Sequence, residues 1–400
     1  MLLILAGITI SLVFSENGII AKAREAANKT NQATINEQEE MNKVADYMRN
    51  MVNGTGGSTP ESPSGPEMPE GWDENKVNAV ESADGVIVPV PKGYTASSVA
   101  TENTVEDGFV IYEGEEAVND TNKDTAQETR NQFVWVPVAN INLIYDSKNK
   151  AGKLYSFTSD GAVEREYPGK NVGYREPDVI KGTGEEHDFD QNNLQILGLN
   201  DELAFENQLQ SEFDNMINSV EKYKGFYIGR YETGNLESNN TSVPVSVKQN
   251  DKNAYVNWYY IYNNSKKVGN NVSTKSSMIW GCQWDRVLQW IVETGDKTYD
   301  DLRNPETWGN YKNSTGNALA GSGEVQPTGY SEYWKVNNIY DLAGNVFDWT
   351  IESHENDFRI FRGGHCLDYS NNLSTTTRSG VAPESPSEVG GSRLTLYINV

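Results

Sequence analysis

Two short stretches limit what this chain can become: 338–349, NIYDLAGNVFDW, and 361–364, FRGG. Val346 and Asp348 alternate with Phe347 and Trp349. That is the period of a β-strand with an aromatic inner face. Gly344-Asn345 before it is a turn signal, because both residues tolerate a left-handed backbone. Whatever else this stretch does, it has a folding role. Other β runs surround it: 85–91 (GVIVPVP), 108–112 (GFVIY), 132–138 (QFVWVPV), 225–232 (GFYIGRYE) and the terminal 393–400 (RLTLYINV). A further strand is expected around 254–262 (AYVNWYYIY). Residues 113–131 are acidic and threonine-rich and read as a solvated loop.

Helical spacing is confined to a few places. In 195–218, Leu203, Phe205, Leu209, Phe213 and Met216 recur at intervals that suit one helix. In 278–292 (MIWGCQWDRVLQWIV) a turn leads into a helix with Trp284, Leu288 and Ile291 on one face. The expected class is α+β. The chain is 36% hydrophobic but holds 9 Trp and 21 Tyr, which suits a loop-heavy fold pinned by aromatic anchors. A net charge of −24 excludes a nucleic-acid partner, which would need a basic footprint. Two cysteines, Cys282 and Cys366, make no disulfide framework and are expected as buried thiols.

The N-terminus differs from the rest. Residues 1–14 (MLLILAGITISLVF) carry no charge, yet as a helix they reach only about 21 Å, short of a bilayer core. Residues 18–52 continue as Ala, Glu, Lys, Gln and Met without proline, a polar helical stem. Residues 53–71 (NGTGGSTPESPSGPEMPEG) are a flexible linker. The main domain is expected over 72–400.

The 338–349 and 361–364 stretches resemble the signature of the formylglycine-generating enzyme family, also called the sulfatase-modifying-factor family. Supporting matches are 133–138 (FVWVPV), 225–232, 283–285 (QWD) and 307–310 (TWGN). The resemblance implies a loop-rich domain with a C-type-lectin-like fold over 72–400. Against the family spacing, 139–224 reads as an insertion. It further implies a calcium site at Asp341, Gly344, Val346 and Asp348, with carboxylates and backbone carbonyls as oxygen donors. The segment 1–52 resembles a type IV pilin or pseudopilin helix, which implies membrane anchoring and pilin-like partner subunits. It also implies a basic leader and more apolar residues upstream.

Oxidase members of the family bind copper through two cysteines shortly after the RGG motif, since soft thiolates suit Cu(I). Here Cys366 comes too early, and Asp368 and a residue near Asn372 or Leu373 stand at the cysteine positions. No copper, and no catalysis, is therefore expected. A metal-dependent oxidase of other chemistry is the alternative, but His187, His354 and His365 have no ligand spacing. His354 and His365 are expected to approach each other only if they lie across adjacent strands.

Beyond the motif the chain turns polar: 365–392 is crowded with Asn, Ser, Thr, Tyr and Asp, residues that suit adaptable recognition. It resembles the display segment of variable proteins of diversity-generating retroelements. The expected function is non-catalytic ligand binding at the cell surface. The ligand is an extracellular protein or glycan, met by His365, Asp368, Tyr369, Asn371, Asn372, Thr375 and Arg378. A minor pilin with a structural head is the second reading.

Overall fold

In the computed structural model, the apolar run 133–138 lies in a strand covered on both faces. The structure describes residues 66–170, 172–180, 190–249, 255–355 and 357–400. All of them belong to one compact unit, Gly65–Val400. The pilin-like helix, residues 53–65 of the linker and His187 lie outside the described residues. No described helix is long and apolar enough to cross a membrane.

The chain opens with a hairpin of β1 (Val77–Glu81) and β2 (Ile87–Pro91). Then come β3 (Tyr94–Ala96), β4 (Val110–Glu113), helix α1 (Lys123–Thr129) and β5 (Gln132–Pro137). Two small hairpins come next, β6 (Tyr145–Asp146) with β7 (Ala151–Gly152) and β8 (Tyr155–Thr158) with β9 (Gly161–Glu164). They lead to β10 (Tyr174–Arg175), helices α2 (Gln191–Leu197) and α3 (Glu202–Tyr223), and β11 (Gly225–Gly229). Helix α4 (Trp258–Ser265), β12 (Thr274–Met278), α5 (Gly281–Glu293) and α6 (Tyr299–Arg303) lead to a short hairpin, β13 (Lys335–Val336) and β14 (Ile339–Tyr340). The chain closes with β15 (Phe347–His354), β16 (Phe358–Arg362), β17 (Ser379–Val381), β18 (Gly390–Ser392) and β19 (Leu394–Ile398).

Six strands form an antiparallel sheet in the order β12-β19-β11-β5-β4-β3. The C-terminal strand therefore fills an interior position. Side chains alternate between two cores, as strand geometry requires. Val134, Val136, Phe226 and Ile228 face the larger core with α3 and α5, whereas Phe133, Trp135, Tyr227 and Leu396 face the hairpin residues Val77, Val88 and Val90. Each such fully buried side chain stabilises by roughly 1.5–3 kcal/mol. The second sheet runs β10-β15-β16-β17, with β18 parallel to β15. It carries the motif and the polar C-terminal loop.

Three local expectations change. The 195–218 stretch is not one helix: α2 stops at Gly198 in the left-handed region (φ 70°), and Asp201 caps a new helix by accepting from Ala204 N. Phe205, Leu209, Phe213 and Met216 are buried along α3, but Leu203 is solvent-facing. The aromatic run at 258–262 is helical. Asn257 caps it, and Trp258 stacks on Tyr262 one turn on with centroids 4.7 Å apart. Within the 113–131 stretch lies the short helix α1.

Candidate functional site

The sequence motifs meet at one buried side chain. Asn345 sits at φ 64° in the turn before β15. Its amide oxygen accepts from Asn310 Nδ2 (3.0 Å) and Gln326 N (2.9 Å). Its amide nitrogen donates to Glu232 Oε2 (2.8 Å) and the Gln326 carbonyl (3.1 Å). Its backbone carbonyl accepts from Cys366 N (3.1 Å). Thus 307–310, 225–232, 338–349 and the chain just after 361–364 are tied together, and the amide of Asn345 has no bonding capacity left.

Gly363 and Gly364 turn the chain out of β16 at φ 86° and 75°. A Cβ on Gly364 would stand 1.8 Å from the Leu373 carbonyl oxygen and 2.8 Å from the Tyr311 ring, so no side chain fits. Tyr311 hydroxyl donates to the Gly363 carbonyl (2.6 Å). This is the root of a loop, 363–378, that runs to β17.

The underside of the loop is anchored. Lys312 N donates to the Asp368 carbonyl (2.9 Å), Ser370 N to Asn313 Oδ1 (2.8 Å), and Trp284 Nε1 to the Thr375 carbonyl (3.0 Å). Its outer side is open: Tyr369 is 47% exposed, Leu367 is 56% exposed, and Asn371 and Asn372 are exposed. Asn371 also borders a polar hollow of about 520 Å³, lined by Asp300, Asp301, Arg303, Asn304, Glu306 and Thr307. His365 is half-buried, its ring 4.7 Å from that of Phe347, and burial lowers its pKa although Asp368 opposes this.

Two expected contact residues are anchors instead. Thr375 is fully buried and its hydroxyl donates to the Leu302 carbonyl (2.6 Å). The Arg378 side chain is 5% exposed and bound to Glu352 and Asp285. Both belong to the loop's foot because groups remote in sequence, the Leu302 carbonyl for Thr375 and the Asp285 and Glu352 carboxylates for Arg378, hold the chain inward there. Leu367 was missed, since one aliphatic in a polar run gives no signal of exposure.

The loop's two ends are held by the same two carboxylates. Arg362, just before Gly363, places Nη2 2.9 Å from Asp285 Oδ1 and Nη1 3.6 Å from Glu352 Oε2. Arg378, just before β17, pairs its Nε with Glu352 Oε1 (2.7 Å) and its Nη2 with Asp285 Oδ2. All four side chains are 0–5% exposed.

The expected calcium ligands turn to other partners. Asp341 Oδ2 accepts from Thr328 Oγ1 (2.8 Å) and Gly329 N (2.7 Å). Asp348 Oδ2 accepts from Arg393 Nε (3.2 Å), whose charge neutralises it. A calcium ion needs six to eight converging oxygens. Asp341 Oδ1 is buried without a hydrogen-bond partner, and among the described residues no three His, Cys, Asp or Glu stand together in a metal-holding group. Nor do the histidines meet. His354 packs on Tyr174 at one end of β15, and His365 on Phe347 at the other, about 23 Å along the strand. Cys282 and Cys366 are buried, and burial beside Glu176 pushes the Cys282 thiol far above its usual pKa.

No protein-family model and no curated protein matches the chain. Among solved structures it is similar to PvdO from Pseudomonas aeruginosa, at 14% identity over 44% of this chain and 82% of that one, TM-score 0.30. CarF is similar at 13% identity over 44% and 87%, TM-score 0.28. Treponema denticola variable protein 1 is similar at 14% identity over 66% and 95%, TM-score 0.26. Likenesses this distant assign neither a family nor an activity.

Proposed function

We propose that this protein is a non-catalytic recognition protein, anchored at the cell surface through 1–52, which meets a protein or glycan ligand with the loop 365–372. The observation that supports this reading is the loop's two-sidedness. Polar bonds fix its underside, while Leu367, Tyr369, Asn371 and Asn372 face solvent. Rigid aromatic anchors beside adaptable amides are the composition of recognition loops. A loop held in one shape also loses little entropy on binding.

The test is a screen of the full chain against glycan arrays and cell-surface proteins, repeated with a Leu367→Ala/Tyr369→Ala variant. Hits that the variant loses, at unchanged melting temperature, support the reading. Hits that the variant keeps would move the contact face elsewhere.

The second reading, a minor pilin-like subunit, draws on the apolar head and polar stem of 1–52. Filaments that disappear on deletion of 1–52 would favour it.

A further inference from the structure

The loop's two ends, Arg362 and Arg378, close a ring with Asp285 on α5 and Glu352 on β15, each carboxylate touching both guanidiniums. Alone, the ring balances two negative charges against two positive ones. A third carboxylate abuts it. Glu176, next to β10, accepts from Gly281 N (2.7 Å) and Cys282 N (2.6 Å) at the start of α5. Its neighbour Arg175 is paired with Asp178 and with the Glu355 carbonyl.

The three carboxylates are fully buried. A Cβ on Gly152 would lie 2.4 Å from Glu176 Oε1, and one on Gly281 would lie 2.3 Å from Glu352 Oε2. Charged and titratable neighbours come from every side. They are Asp285 and the Cys282 thiol from α5, Glu352 from β15, Arg362 from β16 and Arg378 from the loop. The Tyr155 main chain bonds Asp285 and Arg378, and the Tyr174 ring lies 5.8 Å from Arg378.

We propose that Asp285 and Glu352 are positioning residues for the contact loop, and that Glu176 makes their clasp respond to pH. The proposal rests on the loop being the contact face and names how that face is regulated. Glu176 and Glu352 are both fully buried, and both lie against Gly281 at the start of α5. Burial, then the Glu352 charge, pushes Glu176 up to about 7, and burial also raises Glu352 against the pull of Arg378 and Arg362.

A carboxyl whose pKa is raised in the closed state binds its proton more tightly there than in an open, hydrated one. The closed state is therefore favoured in acid and loses that advantage as pH rises from about 4.5 toward 7. Above that range three buried carboxylate charges face the two guanidiniums, the third of them held by the Gly281 and Cys282 N–H groups. The contact face is held most firmly at mildly acid pH and loosens at neutral pH.

Hydrogen exchange of the full chain without any ligand tests this. After correction for intrinsic rates, protection of the 363–378 amides should fall by about tenfold or more between pH 5.5 and 7.5, since one proton is linked to opening. Protection of β5 and β11 should stay level. In Glu176→Gln the loop should show the same protection at both pH values. Equal loop protection in the wild type at pH 5.5 and 7.5, or an unchanged fall in Glu176→Gln, overturns the proposal. If that variant does not fold, the wild-type profile alone decides. Because no ligand is present, a flat profile removes the clasp and leaves the contact face to its own binding screen.

Discussion

Asn345 and Asn372 are the same residue type in neighbouring polar stretches, yet they sit in opposite worlds. Asn345 is fully buried with its amide fully bonded; Asn372 is exposed. The hub joins segments from across the chain, while the outer loop depends on almost nothing but its own foot. Polar composition therefore does not mark a binding face. What marks it is polar residues left facing water by a backbone that is bonded from below.

The sharpest way to break this contrast is to substitute at the root of the loop. Gly364→Ala forces a Cβ onto the Leu373 carbonyl at a positive φ. It should cost more than about 4 kcal/mol, the range of rare severe defects. Chemical denaturation of the full chain would measure this, and near-wild-type stability would show that the turn is not rigid.

Arg378→Ala comes next. It leaves Asp285 and Glu352 buried with one guanidinium between them. Breaking a buried pair this way costs about 3–5 kcal/mol. A loss under about 1 kcal/mol, as for an exposed ion pair, would return Arg378 to the outer face.

A smaller effect concerns pH. With Glu176 raised to about 7, its contribution favours the folded state below the unfolded carboxyl value and fades as pH climbs toward 7. The difference between the melting curves of the wild type and Glu176→Gln should therefore change between pH 5 and 7.5 and level off above. A constant difference would mean that Glu176 does not titrate in this window.

Smallest of all, Leu367→Ala and Tyr369→Ala should stay within about 0.5 kcal/mol of wild type. Excess EDTA should leave the melting temperature unchanged, because Asp348 is neutralised by Arg393 and Asp341 is bonded to Thr328 and Gly329. A calcium-dependent rise would restore the metal expectation and require those bonds to rearrange.

Much of the sheet was legible. Runs such as 132–138 and 393–400 are rich in apolar and β-branched residues, and both become strands covered on two faces. Helix α5 was legible from Trp284, Leu288 and Ile291. The run at 258–262 misled because aromatic and β-branched residues favour strands in general. Asn257, a helix cap, was the overlooked local signal. The foot of the loop was not legible at all. Whether Thr375 and Arg378 point in or out is decided by Leu302, Asp285 and Glu352, which are remote in sequence. Periodicity cannot report a contact of that kind.

The central claim is that one loop has a fixed foot and a free outer face. A saturation scan of 363–378 in the displayed full chain, read by protease resistance, tests it most directly. Positions 367, 369, 371 and 372 should accept nearly every residue, while 364, 375 and 378 should accept almost none. Uniform tolerance along the loop, or intolerance at 367–372, would contradict it.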